Sequence, residues 1–277
     1  MPSSHAVVAA VLLLTLVRGV ESELVADNAY WKACVASGGS TCPDDNTLNL
    51  LNLDLSGTMP PNVAQMTKLL WLWGTGNAIS GTLPSSFGKL TTLENLWLQH
   101  NKMSGTLPDA VGKLTNLRGL DLENNGISGT IPKDAFGKNL EALDLANNKL
   151  SGTIPDTFGN LTNLATLFLE NNAISGTLPD VFTNLKSLIT LALENNVISG
   201  TVPDSFGNLT NLTGLALNNN AITGAAPGIC AIQDRLGHLG SYGCALSPNP
   251  RWTNGAACPA CLNSGLTCKP PINCTGV

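Results

Sequence analysis

The chain is short of charge. Its 277 residues include 14 Lys and Arg against 19 Asp and Glu, 12% in all, about half the usual share. The formal net charge of −5 excludes a bulk-electrostatic grip on a polyanion such as nucleic acid. Aromatic residues make up 5%, and there are three histidines, so the usual acid–base groups are scarce and an enzyme is not expected. No Gly-x-Ser-x-Gly elbow, His-Glu-x-x-His helix or phosphate loop occurs. The longest apolar run, Ala6 to Val17, is 12 residues, too short for the ~20 that span a bilayer. Cysteine is missing from 43 to 229.

What remains at the two ends sets a compartment. The run from Ala6 to Val17 has the length of a signal-peptide core, with Gly19 or Ser22 suited to cleavage. Residues 1–22 are therefore expected to be a signal peptide, and the chain to be secreted, at the cell surface or in the wall. Cys34 and Cys42 lie near the mature start; Cys230, Cys244, Cys258, Cys261, Cys268 and Cys274 crowd the last 48 residues. An even set of this kind reads as disulfides in two caps, 23–46 and 225–277. Cys34 with Cys42 is the easy pair, and the other six leave their connectivity open. Cys258-Pro-Ala-Cys261 also fits a redox pair or half a zinc site, but a disulfide knot accounts for all six together. No cofactor or metal is expected.

Between the caps the chain repeats itself. Ser-Gly-Thr recurs from Ser56, Ser80, Ser104, Ser128, Ser151, Ser175 and Ser199, at steps of 24 residues with a single 23, and Thr223-Gly224 is a last echo. A fixed period of this length means a solenoid. In each unit two leucines alternate with polar or aromatic residues, as in Leu96-Trp97-Leu98, the period-two mark of a short strand. The asparagine column Asn77, Asn101, Asn125, Asn148, Asn172, Asn196 and Asn220 stands where the chain turns off that strand. An amide both donates and accepts, so stacked asparagines can satisfy the bare backbone of adjacent coils. Prolines from Pro60 to Pro203 stop any helix, and Phe87, Phe136, Phe158, Phe182 and Phe206 are expected to fill the return side.

The pattern LxxLxLxxNxISGxxP resembles the plant-type extracellular leucine-rich repeat, the family of receptor ectodomains, polygalacturonase-inhibiting proteins and some protist surface antigens. The resemblance covers residues 47–224 and implies an α/β solenoid, a horseshoe of about eight 24-residue units. It further implies a concave parallel sheet, a second short strand after Ser-Gly-Thr and a 3₁₀ convex return. The plant N-terminal Cys-Cys-x-Trp segment is absent; Tyr30-Trp31-Lys-Ala-Cys34 stands in its place.

If the leucines point inward, their neighbours face the open sheet. There Trp71, Trp73 and Trp97 make an aromatic patch. Gln99, Asp121, Glu123, Asp144, Phe168, Glu170 and Glu194 continue it as a largely acidic strip. This is the candidate ligand-binding surface: aromatic anchors beside negative charge, attractive to a protein or peptide, a basic one above all, with carbohydrate on the tryptophans as the weaker option. A flat face offers no cleft to perturb the acids, so Asp121 and Glu123 are not expected to act as a catalytic pair. Gly74 replaces an inward leucine, either as relief for the tryptophans or as a poor repeat. Sequons at Asn160, Asn208, Asn211 and Asn273 mark N-glycosylation candidates, the first two in a column expected on the convex side. The sequence thus points to non-catalytic recognition of a protein, peptide or cell-wall polymer through the concave sheet, with a structural wall or surface component as the alternative.

Overall fold

The structure is a computed structural model, and it describes residues 27–38 and 46–225. The expected signal peptide, Cys42, the six C-terminal cysteines, the Asn273 sequon and the C-terminal cap lie outside the described residues. A helix α1, Ala29–Ala36, precedes the coils. Its Trp31 is buried and donates its indole N–H to Asn62 Oδ1 at 3.1 Å, tying the helix to the first return segment. Cys34 is disulfide-bonded.

Two rows of parallel strands follow. Odd-numbered strands build the concave sheet: β1 Thr47–Asn49, β3 Trp71–Trp73, β5 Asn95–Trp97, β7 Gly119–Asp121, β9 Ala142–Asp144, β11 Thr166–Phe168, β13 Thr190–Ala192 and β15 Gly214–Ala216. They lie in that order, each paired with the next in unbroken register. Eight strands at ~4.8 Å spacing make a face roughly 35 Å long. Even-numbered strands lie beyond the turn: β2 Ser56–Thr58, β4 Ala78–Gly81, β6 Lys102–Thr106, β8 Gly126–Thr130, β10 Lys149–Gly152 and β12 Ala173–Ile174, then β14 Ser199–Val202 paired with β16 Ala221–Ala225. The return runs through 3₁₀ helices such as Asp156–Asn160, each opened by an extended proline.

Leucines from every coil fill the interior. Leu72, Leu96, Leu143, Leu167 and Leu191 are fully buried from the concave strands, and Phe87, Phe158, Phe182 and Phe206 from the returns. One expected core residue departs. The coil after Pro132 carries an extra residue, so Ala135 takes the buried place and Phe136 is displaced to a half-buried one against Phe158. That coil forms no 3₁₀ helix.

The asparagine column works as the residue type requires. Asn196 is buried; its Nδ2 donates to the carbonyls of Leu169 and Leu193 at 3.0 Å and Glu194 at 3.3 Å, and its Oδ1 accepts from Ile174 N–H at 2.9 Å. Asn101, Asn125, Asn148, Asn172 and Asn220 repeat the arrangement. Another column holds the left-handed conformation that ends each concave strand: Asn124, Asn147, Asn171, Asn195 and Asn219, with φ of 52–55°. Asparagine tolerates this conformation better than most residues. His100 occupies the equivalent position with φ 57°.

Candidate functional site

Pleat and register decide what the concave face shows. Leu72 at the centre of β3 points into the core, so Trp71 and Trp73 face outward. Trp73 pairs with Trp97, Trp97 with Asp121, Asp121 with Asp144 and Asp144 with Phe168. The structure thus brings all ten candidate residues onto one face, each half-buried. Trp73 and Trp97 stack at 5.6 Å with planes 11° apart, and Trp71 stands edge-on to both at 5.7 and 6.0 Å. Small residues make room for them. A Cβ on Gly119 would sit 3.4 Å from the Trp97 Nε1 and 2.4 Å from Asn95 Oδ1.

Gly74 turns out to serve the core rather than the tryptophans. A Cβ there would lie 2.7 Å from Leu98 Cδ2, so the leucine of the following coil fills the space that a side chain at 74 leaves open.

The acidic strip begins one strand from Trp97. One carboxylate oxygen from each of Asp121, Glu123 and Asp144 comes within 4.8 Å of the other two. Asp121 Oδ1 accepts the Glu123 N–H and Asp144 Oδ1 the Ala146 N–H, each at 3.0 Å, which fixes both side chains against the strand ends. Glu123 Oε1 accepts from the amides of Asn124 at 2.7 Å and Asn147 at 3.2 Å. Glu170 and Glu194 extend the strip, and each has one buried oxygen without a partner.

The acids depart from the expectation that an open face leaves them unperturbed. Burial drives the Asp121 carboxyl up to about 6, against the opposing bond from Glu123 N–H. Asp144 and Glu170 rise to about 7, again chiefly through burial, with neighbouring carboxylates adding to it. Glu194 is raised for the same first reason. The flat sheet is solvent-poor because its own side chains crowd the concavity, and it supplies no fixed cation. The outward positions form three columns, which start at Trp71, Trp73 and Thr75 and recur in each following coil, and none holds Lys or Arg; Arg118, on the rim, is bound to Glu141 at 2.6 Å. His100 stands beside the strip, 3.9 Å from Glu123 and 56% exposed.

The histidine and the asparagines that contact the strip were not singled out from sequence. Asn171, Asn195 and Asn219 form an amide ladder at its edge, with bonds of 2.7 and 2.6 Å. The Asn-Asn doublet in successive units was the available signal. Away from the face, Asn160 and Asn208 are exposed at the ends of 3₁₀ helices on the return side, and the exposed Asn211 donates to the Lys186 carbonyl at 2.7 Å.

Leucine-rich-repeat family models match the chain, one over residues 129–174 and 162–222, another over 92–114 and 116–137. Among solved structures, the ectodomain of the Arabidopsis thaliana receptor kinase GASSHO1/SCHENGEN3, in complex with CASPARIAN STRIP INTEGRITY FACTOR 2, is 33% identical with a TM-score of 0.66. The match covers 68% of this chain and 23% of that one. The Arabidopsis receptor kinase HAESA, solved with the peptide hormone IDA and the co-receptor SERK1, is 34% identical with a TM-score of 0.62, over 64% and 30% of the two chains. A plant ice-binding protein is 26% identical with a TM-score of 0.52, over 69% and 68%. No curated protein matches the chain. With its coil geometry and these matches together, the chain is built of leucine-rich repeats similar to those of plant receptor kinase ectodomains. It spans about a quarter of the length of the receptor ectodomains. Among the described residues no helix is long and apolar enough to cross a membrane.

Proposed function

We propose that this is a secreted, non-catalytic recognition protein whose concave sheet binds a protein or peptide. The observation that carries the reading is the three-indole cluster on strands β3 and β5, immediately beside an acidic strip on the same face. Aromatic rings that present large, rigid, half-exposed area are the side chains that dominate binding energy. Negative charge beside them steers basic partners and repels acidic ones. The similar HAESA ectodomain, solved with the peptide hormone IDA, supports the same use of the fold. The test is the triple substitution Trp71→Ala, Trp73→Ala, Trp97→Ala. Partners recovered from culture supernatant are identified by mass spectrometry, with circular dichroism confirming that the variant is folded. The wild-type protein should capture a partner that the folded variant loses. Equal recovery by both would sink the reading and leave a structural wall or surface role.

A second reading attaches to the Ser-Gly-Thr sheet. Thr58, Thr82, Thr106, Thr130, Thr153 and Thr177 are exposed, one per coil, and their hydroxyls make no hydrogen bond among the described residues. The methyl of each packs over the left-handed glycine of the next coil, as Thr106 does over Gly129. Serines of the same sheet turn inward, Ser128 donating to the Gly105 carbonyl and Ser175 to Gly152. A rigid, periodic hydroxyl face, with Lys102 and Lys149 as its only charges among the described residues, suits a periodic ligand, and the likeness to a plant ice-binding protein favours ice. Ice-recrystallisation inhibition that Thr106→Lys and Thr130→Lys abolish would support it; no inhibition by the wild-type protein would end it.

A further inference from the structure

We propose that the concave sheet docks an extended peptide whose Lys or Arg side chains lie along the strip from Asp121 to Glu194, and that docking expels protons from that strip. The proposal rests on the recognition reading above and names its partner's charge and its regulation. The argument is one of charge complementarity. Four consecutive coils, those of β7, β9, β11 and β13, each bring at least one carboxylate to the same face, and the three outward columns hold no Lys or Arg. Hydrogen bonds to backbone and amide N–H groups hold Asp121, Asp144 and Glu123 in place. That leaves concentrated negative charge with no fixed counter-ion in a half-buried setting. Such a face is completed by cations from outside, and an acidic or neutral segment would leave it unpaired.

Geometry sets the form of the ligand. The acids follow one another at the strand spacing of ~4.8 Å. A segment laid across the strands therefore meets a new carboxylate at each coil, with its apolar or aromatic end over Trp71, Trp73 and Trp97. Proton release follows from the state of the free face. The ionisable side chains there are Asp121 on β7 and Glu123 after it, Asp144 on β9, Glu170 after β11 and Glu194 after β13, with His100 after β5 beside Glu123. Burial holds Asp121, Asp144 and Glu170 partly protonated near pH 6–7. An ammonium or guanidinium placed among them favours the ionised form and drives the protons off. Raising the pH thus pre-ionises the strip and tightens binding; lowering it neutralises the acids and weakens binding.

The probe is fluorescein-labelled octalysine, titrated against the full chain by anisotropy, with octaglutamate as the charge-reversed control. Affinity should rise at least about tenfold from pH 5 to pH 8, the range across which these carboxyls ionise. Calorimetry at pH 6.5 in buffers of different ionisation enthalpy should show net proton release. The near-isosteric set Asp121→Asn, Asp144→Asn, Glu170→Gln and Glu194→Gln should abolish both effects. Asp109, Asp156, Asp180 and Asp204 open the 3₁₀ helices on the exposed return side, and converting those four to Asn removes equal charge. That control should keep the pH dependence and the proton release. No octalysine binding, pH-independent binding, or equal loss in the two quadruple variants would overturn the proposal. If the tryptophan variant loses its partner while octalysine fails, recognition stands and the basic peptide falls. If octalysine behaves as stated while the tryptophan variant keeps every partner, the reverse holds.

Discussion

Replacing Asn196 tests the reasoning about what holds the coils together. Its side chain makes four bonds, but the groups it bonds do not depend on it equally. Leu169 O also accepts from Asn172 Nδ2 at 3.1 Å, Leu193 O from Asn220 Nδ2 at 2.9 Å, and Glu194 O from Asn171 N–H at 3.0 Å. Removing the amide therefore leaves each carbonyl a remaining donor. Ile174 N–H alone loses its partner, in a buried setting. One orphaned donor costs about 1–3 kcal/mol, and three shared bonds add a fraction each, so Asn196→Ala should destabilise by about 2–4 kcal/mol. Asn196→Asp separates this account from simple loss of packing. The carboxylate keeps an acceptor for Ile174 N–H but turns a negative oxygen toward three carbonyls about 3 Å away. Asp should thus be worse than Ala at neutral pH, although it is closer to Asn in shape, and should improve on acidification as it takes up a proton. Urea unfolding followed by circular dichroism at pH 7.5 and pH 5 gives both numbers. If Asp is milder than Ala at pH 7.5, the donor side of the ladder is not what stabilises the turn.

Three further outcomes follow from the same geometry. Asp144→Asn should stabilise the protein at pH 7.5 and have little effect at pH 4. The folded carboxyl is raised from 3.8 to about 7, so its penalty is absent below the unfolded value and complete above the folded one. At roughly 1.4 kcal/mol per pH unit the gain would be about 4 kcal/mol, which solvent access to the half-buried site reduces to about 1–2. Gly74→Leu restores the repeat consensus yet should lower the melting temperature, because Leu98 Cδ2 already fills the space; Gly74→Leu with Leu98→Ala should recover part of the loss. Gly129→Ala puts a Cβ 2.7 Å from Thr106 Cγ2 at φ 77°. It should cost about 1–3 kcal/mol, only part of which Thr106→Ser restores, since relief of the contact leaves the backbone strain.

The repeat made the fold legible. The leucines of Leu96-Trp97-Leu98 sit inside and Trp97 outside because a two-residue alternation has only one way to face a core, and the asparagine column bonds as an amide must. Which residues share the concave face followed from the same alternation. What did not follow depended on neighbours in the next coil. Gly74 could not be assigned a reason without seeing Leu98 reach across, and Phe136 was displaced by an insertion whose effect on the return was invisible in the string. The carboxyl shifts escaped for a related cause. Each acid reads as a solvated surface residue in its own unit, and only the stacked sheet, with Phe168 and the indoles standing beside it, withdraws the water.

The two sheets bear different constraints, and the contrast bears on where specificity resides. On the Ser-Gly-Thr sheet most side chains of the motif are pinned by a neighbouring coil: serine to a glycine carbonyl of the coil before, threonine methyl over the next coil's glycine, which no other residue can replace without strain. Variation there breaks the stacking, so every coil carries nearly the same three residues. On the concave sheet only the inward leucines are fixed, and the outward positions range from Trp73 and Trp97 through Asp121 and Asp144 to Ala192 and Ala216. A face that need not vary can serve only a ligand as repetitive as itself. A face free to vary, yet holding three indoles and then an unbroken run of acids, carries information along its length that stacking does not demand. That is why a single defined partner is proposed for the concave side, and why the tryptophan and carboxylate substitutions should alter binding while leaving the coils intact.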